Sequence, residues 1–335
     1  MDNILFLLSF VMLFLGGEFL VKSSVALALR MRISTLVVGM TVVSFATSSP
    51  ELFVSIKSSL DGMTDITFGN VIGSNIANIT LVLGITAMVF RINITKQTIK
   101  INFPVMFFTF ILFGYVLYLF NEINQITGII FVLLLIIFGW ILIKKSREEK
   151  IKGIIDLHGN LYLSEEEKEE YEKARKTPLF QSILYMIIGI VLLMYGSEFL
   201  VNGVEILASD FGISERVISV SLVAIGTSLP ELATSLVAAF RKESNLAIGN
   251  LIGSNIFNVL AVLGITSIVH PISLSKINDV SVPFLNHPLF SDFCWMISTT
   301  ILLGIFIYVM TKNTINRIEG FFLLVFYIVF IFFLF

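Results

Sequence analysis

Two segments of this chain are near copies of each other, offset by 180 residues without slippage. Thr47-Ser48-Ser49-Pro50-Glu51 recurs as Thr227-Ser228-Leu229-Pro230-Glu231. GNVIGSNIANITLVLGIT, from Gly69 to Thr86, recurs as GNLIGSNIFNVLAVLGIT, from Gly249 to Thr266, with 13 of 18 positions identical. Gly16, Glu18, Phe19, Leu20 and Val21 recur as Gly196, Glu198, Phe199, Leu200 and Val201. A fold built on this pattern consists of two like halves. Each half carries a carboxylate, a proline and small polar side chains into strongly apolar surroundings. In membrane proteins, such groups at matching places in two halves mark an ion pathway.

The surroundings are those of a membrane protein. Of 335 residues, 56% are hydrophobic and only 14% are charged, against about 25% charged in soluble proteins. The sequence therefore predicts an all-α polytopic protein of the cell membrane, in contact with the lipid bilayer. A net charge of −2 gives no reason to expect nucleic acid, and no obligate protein partner is evident. The single cysteine, Cys294, excludes an internal disulfide or a CxxC metal site. The first apolar run lacks a basic segment before it and exceeds a signal-peptide core, so it is expected to be a retained span.

Apolar runs predict ten spans, at 4–29, 33–59, 65–90, 101–120, 124–143, 179–208, 214–240, 245–269, 290–311 and 317–335. Between the fifth and sixth lies a mixed-charge linker, 144–178, containing SEEEKEEYEKARK and no EF-hand pattern. The chain thus divides into a first membrane repeat, 1–143, the linker, and a second repeat, 179–335. Five spans per half is an odd number, so the second half enters the membrane inverted. Of the 22 Lys and Arg residues, 18 fall on the linker side and three on the other, with Lys22 inside the first span. By the positive-inside rule the linker is cytoplasmic and both termini are extracellular.

The first motif places Ser44, Thr47, Ser48 and Glu51 at i, i+3, i+4 and i+7, one face of a helix. Pro50 has no N–H to offer the carbonyl of Ala46. A carbonyl freed at membrane depth must be satisfied by protein, water or an ion. Ala224, Thr227, Ser228 and Glu231 repeat the arrangement, with Pro230 freeing the carbonyl of Gly226. The second and seventh helices are accordingly expected to break at the membrane midplane. GSNIxN adds Ser74 and Asn78, one turn apart, and Ser254 and Asn258. All of these ligands are oxygens, which suits hard cations such as Ca²⁺ and Na⁺ rather than soft transition metals. Asn75 and Asn255 point elsewhere and are expected to bond helices together. Gly69 with Gly73, and Gly249 with Gly253, have the spacing that lets helices approach closely.

Other polar residues have plainer roles. Glu18 has Lys22 one turn on and is expected to be paired. Glu198 has only Asn202 there, and both acids are expected to be structural or interfacial. His158, His270 and His287 fall in loops. No nucleophile, metalloprotease or phosphate-loop signature is present, so the chain is not expected to be an enzyme or to carry a cofactor.

At VSFATSSPELFVS with GNVIGSNIANI, and VAIGTSLPELATS with GNLIGSNIFNV, the chain resembles the sodium/calcium exchanger (cation/calcium antiporter) superfamily. The resemblance covers both halves and the linker. It implies antiport of Ca²⁺ against Na⁺, or against H⁺ or K⁺ in some branches, by alternating access. It further implies that Glu51 and Glu231 are the central ligands and that the backbone carbonyls of Thr47 and Thr227 complete a Ca²⁺ site. Ser48, Ser74, Asn78, Ser228, Ser254 and Asn258 would line flanking monovalent sites, with the backbone near Ser44 and Ala224. The first and sixth spans would slide across the rest.

One departure from the family pattern matters: many prokaryotic relatives carry Asp where Asn258 stands. Two carboxylates balance one Ca²⁺, two Na⁺ or two protons, and leave a third Na⁺ uncompensated. Ala46 likewise replaces a Gly common in the family. Oxygen ligation alone leaves other cation exchangers open, and a passive channel or a membrane enzyme as more distant alternatives.

Overall fold

The computed structural model describes residues 2–154, 178–210, 226–274, 276–277, 280–310 and 313–334. Residues 155–177 of the expected linker, the start of the expected seventh span, and Ala224 lie outside them.

The protein is helical. The first half comprises α1 (Asp2–Met31), α2 (Thr35–Thr47), α3 (Ser49–Leu60), α4 (Thr64–Val89), α5 (Thr98–Phe120) and α6 (Gln125–Ile154). The second comprises α7 (Leu179–Asp210), α8 (Leu229–Phe240), α9 (Ser244–Val269), α10 (Leu289–Met310) and α11 (Arg317–Leu334). Among the described residues, seven helices are long and apolar enough to cross a membrane, or eight if the bent pair α2–α3 is one span. α6 runs past the expected end of its span at 143.

The polarity of the molecule is that of a protein in lipid. Large apolar side chains such as Phe14, Phe108, Trp140 and Phe332 are exposed, while Ser44, Thr47, Asn78, Asn258, Glu51 and Glu231 are buried. This is an all-α, multi-pass membrane protein. Of these seven helices, α4 and α9, which carry the GSNIxN motifs, are the most enclosed, 78% and 83% buried, whereas α6 and α7 are 17% and 22% buried.

The two halves interlock. The two-residue strands β1 (Ile92–Asn93) and β2 (Glu122–Ile123) belong to the first half, and β3 (Ile272–Ser273) and β6 (Thr314–Ile315) to the second. β1 pairs antiparallel with β6, and β2 with β3. The one other pairing among the described residues is the hairpin of β4 (Lys276–Ile277) and β5 (Val280–Ser281). Turn geometry repeats as well. Gly62 after α3 and Lys242 after α8 both adopt left-handed backbone, as do Asn121 and Asn313. Glycine and asparagine accept that conformation at little cost, and lysine does not.

Small residues set the helix crossings. A Cβ on Gly16 of α1 would lie 2.9 Å from the backbone nitrogen of Leu193 and 3.0 Å from the carbonyl of Gly189 on α7. On α9, a Cβ at Gly253 would meet Ser44 Oγ and lie 2.5 Å from Met40 Cα, and one at Gly249 would meet the carbonyl of Leu36. The expected close approach thus occurs at Gly249 and Gly253. It does not occur at Gly69, where a Cβ would have nothing within 4 Å.

Candidate ion-binding site

The site is assembled where the Pro-containing segments meet α4 and α9. The first segment is not one continuous helix. Ser48, at φ −88° and ψ 10°, separates α2 from α3, which are bent by 45°. Ser44 and Thr47 therefore end one helix and Glu51 begins the next, which corrects the single-face reading of the motif. Pro50 falls in the first turn of α3, where its missing N–H costs nothing. Ser228, at φ −88° and ψ 0°, precedes α8 in the same way, with Pro230 in the first turn. Glu51 and Glu231 each sit in the first turn of a helix, where exposed N–H groups and the helix dipole favour negative charge.

Both carboxylates are fully buried and lie within electrostatic reach of each other. Glu231 Oε1 accepts a hydrogen bond from Ser48 Oγ at 3.1 Å and a long one from Ser254 Oγ at 3.5 Å. Thr47 Oγ1 lies 3.4 Å from Ser254 Oγ and donates to Asn250 Oδ1 at 3.1 Å. In the counterpart position, Ser74 Oγ lies 3.3 Å from Thr227 Oγ1, and this pair sits beside Glu51. Each carboxylate thus sits in a hydroxyl cluster to which both halves contribute.

The cluster is not saturated by its own hydrogen bonds. Glu51 Oε1 and Oε2, Glu231 Oε2, both polar atoms of Asn78, Ser228 Oγ and Asn258 Oδ1 are buried without a hydrogen-bond partner among the described residues. Leaving buried polar atoms unpaired costs about 1–3 kcal/mol each, and more for charged groups. Six of these seven orphans are oxygens, and coordination of a hard cation is the chemistry that would relieve those six together. No cluster of three or more acidic, His or Cys side chains occurs among the described residues. Among the described residues, the negative charge of the site is that of Glu51 and Glu231.

Ser44 is buried, and its hydroxyl donates to the carbonyls of Gly39 at 2.7 Å and Asn250 at 3.1 Å. Asn78 and Asn258 begin π-helical turns at Asn78–Val82 and Asn258–Leu263, a widening of the helix frequent at functional sites. Three asparagines that sequence reasoning set aside or missed join the network. Asn75 Oδ1 accepts from Asn258 Nδ2 at 3.2 Å and its Nδ2 donates to Met296 Sδ at 3.7 Å, so Asn75 bonds α4 to α9 and α10, as expected, and one of those bonds is to Asn258. Asn70 Nδ2 donates to the carbonyl of Glu51 at 3.1 Å and to Ser55 Oγ at 3.0 Å. Asn250, at the equivalent position of α9, holds Thr47 and Ser44. Their recurrence as GN in both copies was the available signal. Glu18 is paired as expected, with Lys22 at 2.8 Å, and also with Arg241, whose Nε donates to Oε2 at 2.5 Å.

Residues 3–144 and 181–335 match the sodium/calcium exchanger protein family. The putative antiporter CaxA of Alkalimonas amylolytica is 32% identical over 97% of this chain and 96% of its own. The sodium/calcium exchanger MaX1 of Methanosarcina acetivorans is 30% identical over 98% of this chain and 97% of its own. Among solved structures, the sodium-calcium exchanger NCX_Mj, soaked with 2.5 mM Na⁺ and 1 mM Sr²⁺, superposes with a TM-score of 0.77 at 29% identity. That match covers 98% of this chain and 97% of NCX_Mj. Over both of its halves, then, the chain belongs to the sodium/calcium exchanger protein family.

Proposed function

We propose that this protein is a secondary antiporter that exports Ca²⁺ in exchange for Na⁺ or H⁺ by alternating access. The observation that carries the reading is the pair of buried carboxylates, Glu51 and Glu231, brought from matching positions of the two halves into one cluster of unsatisfied oxygens. Ca²⁺ takes six to eight oxygens. Glu51, Glu231 and the backbone carbonyls of Thr47 and Thr227 form its centre. Ser48, Ser74, Asn78, Ser228, Ser254 and Asn258 flank it for monovalent ions, with the backbone near Ser44 and Ala224. The named relatives, an antiporter and a sodium/calcium exchanger, support the same reading.

The architecture proposed with it has ten spans, as two inverted repeats of five, over 1–143 and 179–335, joined by a cytoplasmic linker, 144–178. Both termini are extracellular. α2–α3 form the second span, broken at the midplane, and α8 completes the seventh. The cross-half exchange of the β1–β6 and β2–β3 pairings suits two halves related by a twofold axis. Ions are the cargo, and the protein needs no cofactor or obligate partner.

Charge favours an electroneutral cycle. Each half supplies one acid and an Asn at position 78 or 258, so two monovalent ions replace one Ca²⁺. Everted vesicles with an imposed Na⁺ or H⁺ gradient are expected to accumulate labelled Ca²⁺, and the gradient that works names the counter-ion. No Ca²⁺ movement under either gradient would defeat the reading. Ca²⁺ flux at channel rates without a counter-ion would replace it with a channel.

A further inference from the structure

We propose that Glu198 is an entrance carboxylate, drawing hard cations toward the site from one membrane face only. The inference rests on the antiport reading and names how one face is served.

Glu198 lies within the long apolar helix α7 and is exposed. A carboxylate within a membrane span must be paired or wet, and Glu198 has no ionic partner among the described residues. It lines a cavity of about 330 Å³. The other walls include Asn202 on its own helix, Pro50 and Val54 on the Glu51 helix, and Thr227 from the site. The cavity therefore joins Glu198 directly to two of the site's elements.

Its repeat counterpart is built to the opposite effect. Glu18 is neutralised by Lys22, and by Arg241 at the end of the Glu231 helix. At the equivalent positions Glu198 meets neutral Asn202 in place of Lys22, and Asp61 stands in place of Arg241. The same acid is thus latched in one half and has no ionic partner among the described residues in the other. Because the halves are inverted in the proposed architecture, the two acids serve opposite faces, with Glu198 nearer the extracellular one. A fixed negative charge in a low-dielectric cleft raises the local cation concentration and the rate of entry. A latched ion pair does not.

Labelling tests this without requiring transport. In a Cys294→Ser background, which removes the sole native thiol, Asn202→Cys places a thiol one turn from Glu198. In proteoliposomes, an impermeant cationic methanethiosulfonate should label it several-fold faster than an anionic one of similar size, from one face only. Ca²⁺ should slow the reaction, and Glu198→Gln should abolish the charge preference. In transport, Glu198→Gln should raise the KM for Ca²⁺ several-fold at that face, leave kcat and the other face unchanged, and be rescued by Glu198→Asp. Equal labelling by both reagents would overturn the proposal, as would a loss of kcat with unchanged KM. A wild type that labels as expected but moves no Ca²⁺ would defeat the antiport reading alone, leaving Glu198 as a cation-attracting group.

Discussion

Ser48 and Glu231, 183 residues apart, are joined by a 3.1 Å hydrogen bond between hydroxyl and carboxylate. Ser48 is the hinge residue between α2 and α3, so the bend of one half is bonded directly to the acid of the other. The reciprocal contact is not made: among the described residues, Ser228 Oγ and both oxygens of Glu51 have no hydrogen-bond partner. The two halves are alike in sequence and unlike in how far each satisfies its carboxylate.

Glu51→Gln and Glu231→Gln should each abolish Ca²⁺ transport while leaving the fold intact. Deleting one unit charge at about 4 Å from a cation, at an effective dielectric near 20, removes about 4 kcal/mol per unit of cation charge. Affinity should fall roughly a thousandfold or more. Radiolabelled Ca²⁺ uptake and size-exclusion profiles of both variants check this. Near-normal uptake by either variant would move the site elsewhere.

The asymmetry at the hinges has its own signature. Ser48→Ala should lower thermal stability in chelator by about 1–3 kcal/mol, because it strips a hydrogen bond from buried Glu231. Ser228→Ala should leave chelated stability nearly unchanged and reduce the stabilisation gained on adding Ca²⁺. Unfolding curves in detergent, with and without Ca²⁺, separate the two. Equal losses in chelator would refute the asymmetry.

Exchange should be insensitive to membrane voltage, because two monovalent ions against one Ca²⁺ carry no net charge. Voltage acts at about 2.3 kcal/mol per charge per 100 mV, so a cycle carrying one net charge would be unmistakable. Reversal of Ca²⁺ flux in valinomycin-clamped vesicles should occur at the same ion gradients whatever the voltage. A shift matching one charge per cycle would mean that a third monovalent ion binds despite Asn258.

Packing at the α2–α9 crossing predicts opposite outcomes for two repeated glycines. Gly253→Ala forces a methyl group against Ser44 and Met40 and should cost about 1–3 kcal/mol. Gly69→Ala meets open space and should stabilise by up to about 1 kcal/mol through helix propensity. Thermal unfolding of both variants, by tryptophan fluorescence, reads the sign.

Lys242 holds the left-handed conformation that Gly62 holds in the other half. Lys242→Gly should therefore raise stability by about 1 kcal/mol, the cost of that backbone for a residue with a Cβ. A fall in the unfolding midpoint would show that the lysine side chain makes a compensating contact.

The sequence by itself determined the membrane class, the two-fold repetition, the two acids and most of their companions. Those properties are local: apolar run length, helical spacing and the 180-residue offset can all be read along one strand of text. Tertiary structure decided what spacing cannot express. Thr47 with Ser254, Ser74 with Thr227, and Asn258 with Asn75 are cross-half contacts, created by interlocking helices rather than by any periodicity. The same interlock brought Asn250 to Thr47 and Ser44, and it made Gly253 a crossing point while leaving Gly69 facing open space. It also separated Glu18 from Glu198. The same acid on similar motifs met Arg241 in one half and a cavity in the other, because partners that differ between the halves arrive from the opposite repeat.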